Sequence, residues 1–159
     1  MKNKHHNFPG FCRIAVVRLL FGSLLSFSLL STGCSDNPKG PVPPVIRNLL
    51  REQWGIEVTG LHMSAKGRMV DFRYRVLDPD KASLLSDRSV KPALTDLATG
   101  AVLHVPSFPK TGSMRQTGAR LEAGRIYFML FANTGMPVKS GSRVTVTVGS
   151  FKAENLVVE

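Results

Sequence analysis

Cysteine is almost missing from this chain. Two occur, Cys12 and Cys34, and none follows Cys34. A disulfide framework, a thiolate zinc site and a thiol nucleophile are therefore excluded from everything after position 34. An apolar core has to supply the stability there, because no cross-link restricts the unfolded chain. Acidic residues are scarce too, 11 against 21 Lys and Arg, a formal net charge of +10. Aromatics make up 8% and are not interleaved with the basic residues, unlike the stacking platforms of single-strand binders. No nucleic acid is expected as a partner. Long apolar runs are missing as well. The charge-free stretch from Leu19 to Gly33 covers fifteen positions, a helix of about 22 Å against a hydrocarbon layer of about 30 Å. Extending it back over Ile14 to Val17 would bury Arg18, which disfavours a spanning helix.

What is present fits one globular domain of 159 residues, with ten prolines and fourteen glycines that argue for many turns and against a long helical bundle. At the N-terminus, Lys2, Lys4, Arg13 and Arg18 precede the apolar run, the layout of a secretory signal. The run ends in Leu30-Ser31-Thr32-Gly33-Cys34. Small residues before a cysteine, directly after an apolar stretch, resemble the lipobox of bacterial lipoproteins. Ser31 stands where that family usually has Leu. The resemblance implies a signal peptide over 1–33 and a Cys34 that is diacylated on sulfur, becomes the first residue and is N-acylated. Two or three acyl chains hold a protein on a membrane almost permanently. Ser35 follows the cysteine, where lipoproteins retained at an inner membrane usually carry Asp. The resemblance thus implies the periplasmic face of an outer membrane, with the membrane as partner through the lipid. Without the signal, 17 basic residues face 11 acidic ones, a net +6.

Residues 34–44, the cysteine and then SDNPKGPVPP, form a proline-rich tether; its last ten residues reach about 30 Å when extended. The remaining 45–159 form the folded domain. Apolar residues at 45, 46, 49, 50 and 54 predict a short helix over Val45–Trp54, with Pro44 at its start and Gly55 as its stop. It is expected to dock on the domain, since so short a helix is unstable alone. From Gly55 the period changes to two. Ile56, Val58 and Gly60 share one face of a first strand, and Ala65-Lys66-Gly67 makes a turn. Val70, Phe72, Tyr74 and Val76 then alternate with Asp71, Arg73 and Arg75.

Lys81–Lys91 is polar with one helical turn. Pro92–Asp96 and Ala101–Val105 form a hairpin, and 106–112 is irregular. Met114–Thr117 reads as an edge strand. Arg125–Asn133, apolar on both faces, reads as a central strand covered on both sides or as one lying near the docked helix, and strands at 142–149 and 155–158 complete the domain. About seven short strands predict an all-β, antiparallel sandwich preceded by one short helix. The stretch VKSGSRVTV, 138–146, resembles the approach to a late strand in bacterial immunoglobulin-like domains. With FRYRVLDPDKA and YFMLFAN, the domain is similar to small envelope lipoproteins, a resemblance that brings no activity with it.

No enzyme is expected. HExxH, GxSxG, a P-loop and GxGxxG are all missing, and no cofactor is implied. The first functional reading is a non-enzymatic, lipid-anchored envelope module that binds a protein or an anionic polymer. It would do so through the long loops 78–91 and 105–125 or through a basic sheet face built on Arg68, Arg73 and Arg75. The alternative is a periplasmic copper-handling protein. His62 and Met69 flank the turn at 65–67, and His104 is the only other histidine after the signal, so these three are the candidate soft ligands.

Overall fold

A computed structural model describes residues 41–118 and 120–159. Cys34, the signal peptide and the first part of the tether lie outside the described residues. Helix α1 spans Pro44–Trp54, with proline in its first turn. It stops at Gly55, whose left-handed φ of 60° lets its N–H return to the Arg51 carbonyl. Leu50 is buried, Ile46 and Trp54 pack against the core, and the Trp54 ring meets Phe151 edge-on at 5.3 Å. Val45 and Leu49, expected on the docked stripe, face outward, with Val45 75% exposed. A short helix lying on a sheet touches it along one i, i+4 row, here 46, 50 and 54. Val42 is buried as well, so the end of the expected tether belongs to the folded body.

The strands are β1 Ile56–Ser64, β2 Met69–Val76, β3 Ala93–Asp96, β4 Val102–His104, β5 Ser107–Phe108, β6 Gly112–Ser113, β7 Ile126–Ala132, β8 Arg143–Val148 and β9 Phe151–Val157. A 3-10 turn over Ser83–Ser86 buries Leu85. Every strand pair is antiparallel. One sheet has the order β1-β2-β7 and the other β4-β3-β8-β9. Their inward residues, among them Phe72, Tyr74, Phe131, Val146 and Phe151, form a single apolar core, so the described residues form an all-β sandwich with seven strands longer than two residues. Small β5 and β6 pair with each other across 107–113, mostly within the stretch 106–112 expected to be irregular. Two residues on each side suffice there, because Pro109-Lys110-Thr111 and Gly112 at φ 74° turn the chain tightly.

On β2, Val70, Phe72, Tyr74 and Val76 are all fully buried, as their alternation predicts. On β1 the expected face changes midway. Thr59 forms a bulge between Val58 and Gly60, and the side-chain phase flips, so that Leu61 reaches the core. β7 is not central. It is the outer strand of its sheet, with Tyr127, Met129 and Phe131 inward and Ile126 exposed. Its free edge is met by the segment 114–116, an isolated bridge between Arg115 and Met129 rather than a full strand. Leu130 N–H donates to the Met114 carbonyl at 2.9 Å, and Gln116 N–H to that of Phe128 at 3.0 Å.

Backbone bonds also close the sandwich from β9 to β1. Glu159 donates to Leu61 and accepts from Met63, at 2.8 and 3.0 Å. Val157 donates to the Pro41 carbonyl at 2.8 Å. Val157 pairs with Arg143 at one end of β8, whereas Thr147, near the other end, pairs with Ala93, which pairs with His104. The chain therefore joins the body at one end of the second sheet, and His104 sits toward the opposite end.

Candidate functional site

The two long loops, 78–91 and 105–125, converge beside His104. Together with the start of β7 they enclose an open groove of about 1120 Å³. Among the described residues its cations are Arg88, Lys91, Arg115, Arg120 and Arg125, and Glu122 is its one carboxylate. Glu122 is already engaged, since Arg125 Nη1 donates to it at 3.0 Å. Arg125 also lies over the Tyr127 ring at 5.6 Å, and the Tyr127 hydroxyl accepts from the Glu122 N–H at 2.9 Å. Among the described residues, no carboxylate is paired with Arg88, Lys91, Arg115 or Arg120.

Arg115 is the floor of this groove. The bridge to Met129 fixes its backbone on the β7 edge and turns the side chain in, leaving it 7% exposed. Its Nη2 donates to the carbonyls of Asp87 at 2.6 Å and Val90 at 2.9 Å, joining one long loop to the other. Arg88 adds a second link, donating from Nε to the Thr117 hydroxyl at 3.2 Å. Arg115 Nε and Nη1 are buried with no hydrogen-bond partner among the described residues, and so is the Tyr74 hydroxyl. Burial lowers the proton affinity of the Arg115 guanidinium, an effect partly offset by Tyr74 and Asp87. Burial likewise pushes the Tyr74 hydroxyl far above the usual phenol range. The Asp87 carboxyl is held below its usual value by hydrogen bonds from the Ser89 side chain and backbone, so its charge is committed locally. Asp87 is near enough to act on Arg115 but forms no ion pair with it, and a cleft with low-dielectric walls concentrates the field of a buried cation. The arrangement is suited to hold an anion.

The expected basic face is arranged differently. Arg73 pairs with Asp71 at 2.8 Å, and Arg75 reaches Glu57 at 3.4 Å, a carboxylate it shares with Arg51. Arg68 precedes β2, at the other end of the strand from Arg75, beside Lys66 and Met136. The structure does not gather these three into a patch free of acids. His62 and Met69 lie in neighbouring strands, where His62 faces Asp71 across the pair and its Nδ1 lies 3.3 Å from Glu159. His104 belongs to the other sheet and lines the groove. His62, Met69 and His104 are therefore not brought together. No group of three or more His, Cys, Asp or Glu suited to a metal occurs among the described residues.

Sequence reasoning pointed to the loops but not to the groove's cations. A signal was there. Lys110, Arg115, Arg120 and Arg125 recur every five residues with one acid among them. That spacing fits neither a helix face nor a strand face, so it does not stand out as a surface. Comparison of the chain with protein-family models, with curated proteins and with solved structures finds no match.

Proposed function

We propose that this protein is a non-enzymatic cell-envelope module, anchored by acyl chains on Cys34 at the periplasmic face of an outer membrane, that binds an anionic polymer in the groove. One observation carries the binding half of this reading: Arg88, Lys91 and Arg120, without a carboxylate partner among the described residues, stand around one cleft whose floor is the buried Arg115, which has none either. The lipobox resemblance of Leu30–Cys34 carries the anchoring half. The sandwich is read as immunoglobulin-like. The first, second and fifth long strands share one sheet and the third, sixth and seventh the other, as in the constant-type arrangement, with the fourth moved beside the third.

The test has two arms on the full-length chain. Metabolic labelling with a fatty acid is expected to mark the wild type and to leave Cys34→Ala unlabelled. In detergent, the purified protein is expected to be retained on a heparin matrix, used as a generic polyanion, and released as salt screens the groove. Label that survives Cys34→Ala removes the anchor. Failure to bind heparin at low salt removes the groove.

A further inference from the structure

Resting on that reading of the groove, we infer that its ligand is a phosphate-bearing oligosaccharide. Of the five groove cations, four are arginines and one is lysine. The guanidinium fork matches two oxygens of one anion, whereas an ammonium acts as a point charge. The charge at the groove is concentrated. Arg88, Arg115 and Arg120 have no carboxylate partner among the described residues; Arg115 Nε and Nη1 are shielded, so Arg115 acts on the groove through its charge. A phosphate monoester carries nearly two negative charges and three acceptor oxygens, and so balances such a cluster better than a single carboxylate does.

Hydroxyl and amide groups of Ser107, Thr111, Ser113, Gln116 and Thr117, with the imidazole of His104, line it beside the apolar Val90, Pro92 and Val105. The polar groups both donate and accept, as sugar hydroxyls require. The groove has one aromatic, Tyr127, and Arg125 already covers its ring. Bases need open stacking platforms, so the lining suits a sugar rather than a nucleotide strand. A volume of about 1120 Å³ is more than a lone phosphate fills and fits a short run of sugars. The walls are also fixed in advance. Arg115 holds Asp87 and Val90, and Arg88 holds Thr117, so little ordering is left for the ligand to drive.

The experiment is titration calorimetry on the full-length protein in detergent, with a mannose oligosaccharide carrying one phosphate as probe. The same oligosaccharide after phosphatase treatment, and polygalacturonate as a carboxylate polymer, are the comparisons. The phosphorylated sugar is expected to bind at least about tenfold more tightly than either. Arg88→Glu and Arg120→Glu, both at exposed positions, are expected to abolish that binding with the thermal midpoint unchanged. Equal affinity before and after phosphatase, or polygalacturonate binding as tightly, overturns the phosphate assignment. If that binding is lost in Arg88→Glu, the groove itself stands. If no probe binds, or binding survives both substitutions, the groove falls with it.

Discussion

Arg115 and Val90 lie 25 positions apart, and the Arg115 guanidinium donates to the Val90 carbonyl oxygen at 2.9 Å. With the companion bond to Asp87 at 2.6 Å, that contact ties the loop before β3 to the loop before β7. One guanidinium nitrogen, Nη2, meets both carbonyls, and lysine at 115 would bury a more strongly hydrated ammonium in its place. Arg115→Lys is expected to destabilise the protein by about 1–3 kcal/mol in thermal unfolding. Hydrogen exchange should rise first over residues 87–92. Arg88→Ala, which breaks only an exposed bond to Thr117, should stay within about 0.5 kcal/mol of the wild type.

Tyr74 offers a pH-dependent prediction. Its side chain is fully buried and its hydroxyl has no partner among the described residues. Desolvation is the main cause of its raised pKa. The folded state therefore keeps the phenol proton where the unfolded chain has released it, from about pH 10 upward. Stability is full below that pH and falls as pH rises beyond it. Tyr74→Phe removes both the titration and an unsatisfied hydroxyl. It is expected to leave neutral-pH stability equal or higher, and to flatten the alkaline decline in a series of denaturant melts.

Asn133 is a buried clasp. Its side-chain amide donates to the carbonyls of Gly67 and Val138, both at 2.8 Å, and accepts from the Val138 N–H at 3.2 Å. Asn133→Ala orphans all three backbone groups and is expected to destabilise by about 3 kcal/mol. Asn133→Asp turns the donor into a charged acceptor facing two carbonyls. It should be worse than alanine near pH 7 and recover in part under acid, as read by thermal midpoint.

Gly55 joins α1 to β1 in the left-handed region at φ 60°, and an added Cβ would come within 2.6 Å of Asp78 Cβ. Its carbonyl also accepts from Leu77 and Asp78, at 2.7 and 2.9 Å. Gly55→Ala is expected to cost more than the roughly 1 kcal/mol of left-handed strain alone. Gly100, at φ 71° with open space around it, provides the comparison. Gly100→Ala should show only that strain in equilibrium unfolding.

The strands were legible where one face of the chain meets the core and the other meets water. The run Val70, Phe72, Tyr74 and Val76 is the clearest case. Legibility failed where local pattern and tertiary position part company. The bulge at Thr59 flips the phase of β1; Gly60 beside it is the sequence mark of such a bulge, but it also fits the alternation as one more position of the strand. The two apolar faces of β7 resemble those of a central strand, yet β7 is an outer strand whose second face, Ile126, Phe128 and Leu130, is partly open to solvent, while the segment around Arg115 meets its edge. The groove was the least visible feature, because its cations come from two loops that only the folded sheets bring together.

The basic sheet face read from the sequence and the groove found in the fold make opposite predictions for one measurement. That measurement is the affinity of the full-length protein for a heparin oligosaccharide at low salt, with paired charge reversals. Arg73 and Arg75 are already engaged by Asp71 and Glu57, whereas Arg88 and Arg120 have no acid partner among the described residues. The account predicts that Arg88→Glu with Arg120→Glu loses at least about tenfold in affinity, while Arg73→Glu with Arg75→Glu changes it little. A groove pair that binds as the wild type does, beside a sheet pair that does not, would contradict it.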